Sequence, residues 1–332
     1  MQALILEEGQ KTMTYKEVET LSVGANEVLV KVRAGALNHR DVYITQGLYP
    51  GVRTPIILGS DGAGVVEKVG ANVDSSWLRK SVIMNPSIGW DESMKVQPKN
   101  YRILGMPDNG TFADYVKIDS KQLAPMPKHL SFEQAAALPL GGLTAYRALV
   151  TKTQAQAGEK ALISGIGGGV ALFAFQFAVA LGLDVYVTSG SDEKIAKAIA
   201  MGAKGGANYK AENWHKSLKE QAGGFDVIID SAGGDGFKYF LDLANPAGRI
   251  AFYGGTRGSF KVNPQKMFWK QLSLFGSTMG NDQEFAAMTQ LVEDKKILPV
   301  VDSIWDMKDG NEAFAHMDAG KQFGKIVLKN PD

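Results

Sequence analysis

The stretch from Ala161 to Tyr186, ALISGIGGGVALFAFQFAVALGLDVY, constrains the fold of this chain more than any other. A short apolar run, Ala161 to Ser164, meets a turn packed with glycine at 165, 167, 168 and 169. An apolar helix of about three turns follows, Gly182 closes it, and a second strand begins at Asp184. This is the sequence form of a βαβ unit. Its glycines let the backbone approach a phosphate, and the free N–H groups and dipole of the helix hold the charge. The spacing departs from G-x-G-x-x-G, because the third glycine position counted from Gly165 falls on Val170. The better fit is Gly165-x-x-Gly168-x-x-Ala171, with alanine where helix meets sheet. The turn alone leaves three readings open: a dinucleotide site built on Gly168, Gly169 and Val170, a site for another phosphate ligand, or a structural glycine turn.

The chain has 332 residues, which fits two domains. It is 45% hydrophobic and 21% charged, as an ordinary globular protein is. A net charge of +1 and the lack of any basic block argue against a nucleic-acid partner. There is no cysteine, which removes disulfides, thiolate catalysis and cysteine-based metal sites. The N-terminal MQALILEEGQ has no basic n-region, and its apolar run is short for a signal peptide. Ala161 to Leu183 carries no charge, but its glycine cluster leaves too short a helix to span a bilayer. The expectation is a cytoplasmic chain with no membrane partner.

The first part reads as short strands at Ala3–Leu6, Val28–Ala34, Gly64–Val69, Val82–Asn85 and Phe112–Ile118, separated by Gly and Asn turns. That pattern predicts a compact antiparallel β domain or partial barrel. Ser87 to Asn109 reads as an irregular polar loop at its edge. Pro125 and Pro127 mark a boundary near Ala124 to Ser131. Ser131, with Glu133 and Gln134 behind it, then caps a helix. Helices are expected at 131–137, 142–151, 169–181, 192–201, 213–222 and 235–244. Strands are expected at 160–164, 184–188, 206–209, 225–230 and 248–253. Such alternation predicts a doubly wound parallel sheet. Leu272–Ser277 reads as one more strand, followed by helices at 281–294 and 309–319 and a final strand, Gly324–Lys329.

The end of the second strand of such a sheet usually decides the cofactor. An acid there would bond the ribose and repel a 2′-phosphate. Here the position is Ser189, which is neutral, followed by Gly190, and Lys194 lies one turn into the next helix. Tyr209 ends the third strand, where it could stack on adenine. These residues favour NADP(H) over NAD(H). The competing reading has Ser191 capping the helix and Lys194 in solvent, while Asp192 and Glu193 oppose a phosphate. Asp230-Ser231-Ala-Gly-Gly234 and Phe252-Tyr253-Gly254-Gly255-Thr256 end the fourth and fifth strands, where open α/β sheets bind ligands. Tight turns alone would also place glycine there.

Five blocks in order then resemble the medium-chain dehydrogenase/reductase superfamily over nearly the whole length. They are Gly35-Ala-Leu-Asn38-His-Arg-Asp41-Val-Tyr43, Gly59-Ser-Asp61-Gly-Ala-Gly64-Val-Val-Glu67-Lys-Val-Gly70, Leu138-Pro-Leu-Gly-Gly-Leu-Thr144-Ala-Tyr146, the glycine turn, and Phe323-Gly-Lys-Ile-Val327. The resemblance implies a GroES-like partial β-barrel domain carrying the substrate side (1–124), a Rossmann NADP-binding domain (125–280), and a C-terminal segment (281–332) that returns to the first. It implies cofactor contacts from Asp41, Thr144, Ser231, Tyr253, Gly254, Phe275, Gly276 and Ser277 besides those above. It also implies a substrate pocket between the domains, with apolar surface from Phe268 and Trp269, and a homodimer that pairs the Leu272–Ser277 strands.

Zinc alcohol dehydrogenases of this superfamily carry cysteine where this chain has Asn38, histidine at Ser60, and a further cysteine near Leu140. Their four-cysteine lobe would fall in 84–111. The histidines at 39, 129, 215 and 316 show no metal spacing, so no bound metal is expected. The chain looks instead like the zinc-free quinone oxidoreductase branch, which carries Asn-x-x-Asp-x-Tyr and then Gly-Leu-Tyr. These match Asn38, Asp41 and Tyr43, then Gly47, Leu48 and Tyr49. In that branch the asparagine and tyrosines line the nicotinamide pocket, and the residues reading the 2′-phosphate correspond to Gly190, Lys194 and Tyr209. His39-Arg40 departs from the branch pattern.

The expected activity is NADPH-dependent hydride transfer to a quinone or α,β-unsaturated carbonyl. Asn38, Tyr43 and Tyr49 form the catalytic set, and Tyr49 is the candidate proton donor. Two other enzyme readings stand beside it. One is an enoyl-thioester reductase using Lys95, Lys99 and Arg102 for the thioester's phosphates; the other is a generic alcohol dehydrogenase-like reductase. A reading of another class is an NADPH-binding redox sensor or structural protein with little turnover.

Overall fold

The computed structural model describes residues 1–90 and 95–331. Residues 91–94, part of the loop expected at 87–109, lie outside them. The chain forms two compact units, residues 1–143 with 280–332, and residues 144–279.

The first unit opens with β1 (Gln2–Leu6), β2 (Met13–Glu17) and β3 (Glu27–Ala36), then α1 (His39–Thr45), β4 (Ile56–Ile57), β5 (Asp61–Val69) and β6 (Ser81–Met84). After β7 (Ser87–Ile88) and β8 (Arg102–Ile103) come β9 (Tyr115–Asp119), β10 (Leu123–Pro125), α2 (Phe132–Ala137) and α3 (Pro139–Tyr146), whose last residues enter the second unit. The sheet order is β10-β6-β5-β3, with β9 also on β3, and β2-β1-β4 forms a separate sheet. Valines at 28, 30, 32, 66, 82 and 116 fill the interior of the larger sheet. This is the antiparallel partial barrel that the short strands predict, and it matches the GroES-like domain that the resemblance implies.

The segment at 87–109 is more ordered than an irregular loop. β7 pairs with β8, and Trp90, 1% exposed, meets Tyr101 edge to face at 5.6 Å. One buried indole draws a polar stretch onto the core. The strand expected at Phe112–Ile118 starts three residues later. Phe112 and Ala113 are buried, and Phe112 N–H bonds the Leu58 carbonyl outside the main ladder.

The second unit contains β11 (Lys160–Ile163), α4 (Gly169–Ala180), β12 (Asp184–Ser189), α5 (Asp192–Ala200), β13 (Gly205–Asn208) and α6 (Trp214–Ala222). β14 (Phe225–Asp230), α7 (Lys238–Leu243), β15 (Ala244–Phe252), α8 (Pro264–Lys270) and β16 (Ser273–Gly276) complete it. The strands form one parallel sheet in the order β13-β12-β11-β14-β15-β16. The order reverses between β12 and β14 around β11, the switch point of a Rossmann sheet. Apolar runs such as Val227-Ile228-Ile229 are fully buried because helices cover a parallel sheet on both faces. α4 is apolar but for Gln176, and its middle, Ala171–Phe175 with Phe177 and Ala178, is likewise buried. Among the described residues no helix is long and apolar enough to cross a membrane.

The remaining elements are α9 (Asp282–Lys295), β17 (Val301–Asp306), α10 (Gly310–Asp318) and β18 (Lys325–Lys329). β18 pairs antiparallel with the end of β3, Val327 opposite Ala36, so the C-terminal segment does return to the first unit. Residues 125–143, expected with the nucleotide-binding domain, also cluster there. Their α2 rests on β3, β5 and β18, and the expected cap is present: Ser131 Oγ accepts from Gln134 N–H at 3.3 Å.

Candidate functional site

In the second unit the glycine turn is built as its sequence requires. Gly165 and Gly167 have φ of 67° and 117°, the left-handed region that favours glycine. Gly168 is the N-cap of α4 and has no side chain to cap it. The first-turn N–H groups of Gly169, Val170 and Ala171 are therefore available to an anion. A Cβ on Gly167 would lie 2.8 Å from Lys194 Cδ and 3.4 Å from its Nζ. Lys194 thus lies across the turn, its backbone N–H held by Ser191 Oγ at 3.4 Å.

A second concentration of cations lies at the ends of β12 and β13. A Cβ on Gly190 would sit 2.8 Å from Tyr209 Oη and 2.9 Å from Lys210 Cε. The Arg257 guanidinium lies 5.0 Å over the Tyr209 ring. The acids that could oppose a phosphate are engaged elsewhere. Asp192 accepts from Asn208 Nδ2 at 3.0 Å, and Glu193 pairs with Lys197 at 2.8 Å. Ser189, at the position expected to decide the cofactor, faces inward. It is 4% exposed, and its hydroxyl donates to the Ile166 carbonyl and accepts from Ser191 N–H. It shapes the turn, and the accessible chemistry belongs to its neighbours.

A cavity of about 570 Å³ opens beside these groups, bounded by Gly165, Tyr209, Trp214, Ser231 and Arg257. That volume suits a small-molecule ligand. Asp230 organises its floor, accepting from Ser164 Oγ and from the N–H groups of Ala232 and Gly233. Burial pushes its carboxyl above the ordinary range, against the pull of those bonds. Tyr253 is raised by burial and then by Asp230. A Cβ on Gly254 would lie 2.2 Å from the Ser231 carbonyl. Gly254, Gly276 and Ser277 border a further hollow at the same strand ends, and Phe275 pairs with Ala251 just inside. Thr144 is buried, with Met279 Sδ 3.8 Å from its hydroxyl. The fold therefore gathers the expected cofactor residues of the sheet along one edge. Lys210, Trp214, Asp230 and Arg257 join them. Their signal in the sequence was position alone, each lying at or within a few residues of a strand end.

In the first unit the ends of β3, β5 and β18 bring three polar side chains together. Asp61 lies opposite Ala36 on β3. Asn38 follows two residues after Ala36, and Lys325 starts the strand that pairs there. Asn38 Nδ2 donates to Asp61 Oδ2 at 2.9 Å. Lys325 Nζ donates to Asn38 Oδ1 at 2.7 Å and to Asp61 Oδ2 at 2.9 Å. Asp61 Oδ1 accepts from Leu140 N–H at 2.7 Å. Asn38 stands at the N-cap of α1, yet its side chain is committed to this network. In the capping box of α1, Asp41 Oδ2 accepts from Asn38 N–H at 2.8 Å.

Arg40 forms the adjoining half of the network. Its Nη1 donates to Ser60 Oγ at 2.6 Å and the Leu104 carbonyl at 3.1 Å, and its Nη2 donates to the Met106 carbonyl at 3.3 Å. The guanidinium lies 4.9 Å over the Tyr49 ring. Arg40 Nε and Asp41 Oδ1 are buried without a hydrogen-bond partner. Burial raises the Asp41 carboxyl to about 6, opposed by Arg40, the Asn38 N–H and Lys325 and aided by Asp61. Asp41 is 0% exposed, and its Oδ2 holds the start of α1 through Asn38 N–H. Tyr43 and Tyr49 are half-buried. Tyr101 stands close enough for both Tyr49 and Arg40 to influence its phenol, which burial chiefly pushes up to about 12. Local desolvation, then the Lys325 charge, holds the His39 imidazole below its ordinary value. Arg40 and Lys325 were not among the expected site residues.

Two family models match the chain. Residues 24–128 match the alcohol dehydrogenase GroES-like domain and residues 169–294 the zinc-binding dehydrogenase domain. A zinc-type alcohol dehydrogenase-like protein YogA from Leptosphaeria maculans is 38% identical, covering 92% of this chain and 91% of that protein. The quinone oxidoreductase of Rattus norvegicus is 32% identical, covering 92% and 89%. The crystal structure of an NAD-dependent alcohol dehydrogenase superposes with a TM-score of 0.92 at 33% identity, covering 99% of both chains. Full-length similarity at these levels, on a GroES-like unit and a Rossmann unit, makes this chain a member of the medium-chain dehydrogenase/reductase superfamily, an oxidoreductase family.

Proposed function

We propose that the protein is a zinc-independent, NADPH-dependent reductase of quinones or activated enones. One observation carries this reading. The positions that would ligate zinc, Asn38, Ser60 and Leu140, belong to a hydrogen-bonded network containing two fixed cations, Lys325 and Arg40. A divalent cation would have to displace them, and neither an amide, a hydroxyl nor an alkyl side chain is a favoured zinc ligand.

The residues of the second unit fit a phosphorylated dinucleotide. The glycine turn and α4 suit its pyrophosphate, and Lys194, Lys210 and Arg257 supply charge for a 2′-phosphate. When bound, the nicotinamide supplies hydride. The chain's own residues then have two tasks. Asn38 offers an amide N–H to the substrate oxygen, and Tyr49 delivers the proton that completes reduction of an enone. Quinones need less help, since the charge on a hydroquinone anion is delocalised and water can protonate it. Oxidation of simple alcohols would need a base or metal to stabilise an alkoxide, which disfavours that reading. The enoyl-thioester reading loses one of its cations, because Arg102 is paired with Asp108.

A substrate panel with NADPH and NADH tests the proposal. Faster turnover of quinones and enones than of butanol, with no loss to a chelator, is expected. Butanol oxidation by metal-free protein, or one zinc per chain with chelator-sensitive activity, would overturn it. We also propose a homodimer. β16 ends the sheet, and an open edge is an aggregation liability unless paired. Phe268 and Trp269, expected in the pocket, are 59% and 79% exposed on α8 just before it. A monomeric mass by light scattering at micromolar concentration would contradict this.

A further inference from the structure

We propose that Lys325 and Asp61 are positioning residues that hold Asn38 as a polarised hydrogen-bond donor toward the substrate oxygen. This inference rests on the reductase reading and deepens it.

The argument starts from what each group is able to do. An ammonium only donates, and an ionised carboxylate only accepts. With Lys325 Nζ at 2.7 Å on one end of the amide and Asp61 Oδ2 at 2.9 Å on the other, the amide has one orientation. Its oxygen faces Lys325 and its NH₂ faces Asp61. Asp61 takes one of the two amide hydrogens, which leaves the other for a ligand. A carbonyl or quinone oxygen is the acceptor that matches it.

The surroundings strengthen this donor. Lys325 is 3% exposed and Asp61 0%, so the charges act through protein rather than water. A cation on the amide oxygen draws density from the nitrogen and makes its remaining N–H a better donor, as in any hydrogen-bonded chain. Negative charge that develops on the substrate oxygen would be met by a preorganised dipole backed by an ammonium. A purely structural pair is the competing explanation, but a buried ion pair is weak evidence for stability by itself.

The test compares two changes separately and together, in protein loaded with NADPH and assayed on an enone and a quinone. Lys325→Met/Asp61→Asn removes both charges, so neither is orphaned in the core. Its melting temperature and its NADPH titration by fluorescence report whether fold and cofactor site survive. The expected result is a fall in kcat on the enone of about 10²-fold, the scale of one oxyanion donor, with NADPH affinity unchanged and quinone turnover less affected. The same pair of changes made in an Asn38→Ala background should then produce no additional loss.

If the losses multiply instead, Lys325 and Asp61 do not act through Asn38 and the inference fails. It fails equally if kcat is unchanged. Should the double variant not fold, Lys325→Arg against Lys325→Gln makes the same comparison. Arginine should preserve most enone turnover and glutamine should not; equal rates would overturn the inference. A wild-type protein that reduces neither acceptor would overturn the reductase reading and this inference with it. Normal wild-type turnover beside unaffected variants would overturn this inference alone.

Discussion

The two units handle charge in opposite ways. At the edge of the Rossmann sheet it is presented outward. Glycines clear the backbone, α4 offers N–H groups, and the half-buried Lys194 and the exposed Lys210 and Arg257 lie nearby. In the GroES-like unit it is locked inward. Arg40, Asp41, Asp61 and Lys325 are all at most 8% exposed and are bonded mainly to each other's neighbours. The outward arrangement suits binding a polyanion whose charge is present before and after reaction. The inward one suits a site whose charge appears only in the transition state, where donors must already be oriented. Changes at the edge should therefore alter affinity and selectivity, and changes around the buried network should alter turnover, stability and pH dependence.

The largest expected effect breaks this comparison most directly. Tyr49 lies at the border of the buried network, under the Arg40 guanidinium. If it delivers the proton, Tyr49→Phe should lower kcat on an enone by about 10²-fold or more, the scale of general acid catalysis, and lower quinone reduction far less. NADPH affinity should not move. An unchanged enone rate would retire the proton donor while leaving the network intact.

Asp41 sharpens the comparison through stability. Its folded-state carboxyl is raised from 3.8 to about 6, so between those values the folded protein holds the proton more tightly than the unfolded chain. Stability then falls as pH rises through that window, and the penalty is complete above it. For a residue with no exposure, a shift of this size corresponds to about 3 kcal/mol, as an upper figure. Asp41→Asn keeps an oxygen for the Asn38 N–H and removes the charge. It should be about as stable as the wild type near pH 4 and more stable by about 1–3 kcal/mol at pH 7, as read by urea unfolding. A variant advantage independent of pH would show that burial does not hold this proton.

What was legible before the fold was known follows the same division. Parallel strands such as Val227-Ile228-Ile229 announce themselves as apolar runs ending in glycine turns, and their ends line the ligand edge whatever the rest of the chain does. The glycine turn and Lys194 needed only local sequence. Asn38 and Asp41 stood out as site residues, but the buried network did not, because what joins Asn38 to Asp61 and Lys325 spans long separations. Arg40 is buried by carbonyls at Leu104 and Met106. Lys325 looks like the polar start of an ordinary strand until β18 is paired beside β3. At Ser189 the sequence marks the end of β12, but that its hydroxyl turns back to Ile166 is visible only in the fold. α1 was missed because it is only His39–Thr45, too short to show a helical period.

The smaller effects belong to the edge. Lys194→Ala should weaken NADPH by about 1–3 kcal/mol, the scale of a charge-assisted bond, with NADH nearly unchanged in a fluorescence titration. Equal affinities for the two cofactors in the wild type would remove the basis for this assignment.

Arg257 should follow with a smaller loss. Its residue is exposed, so part of its attraction for a phosphate is screened by water and salt. Its guanidinium already rests on the Tyr209 ring, and that contact both orients it and keeps it beside the adenine position expected of Tyr209. Arg257→Ala should therefore cost about 0.5–1.5 kcal/mol in NADPH affinity, more at 20 mM salt than at 200 mM. Arg257→Lys should not restore it fully, because an ammonium lacks the flat face that stacks on the tyrosine. NADH should feel only the loss of stacking, the same at both salt concentrations. If NADPH and NADH were weakened equally and without salt dependence, Arg257 would serve the adenine alone. Discrimination between the cofactors would then rest on Lys194, which lies beside Gly167, and on Lys210, which lies beside Gly190.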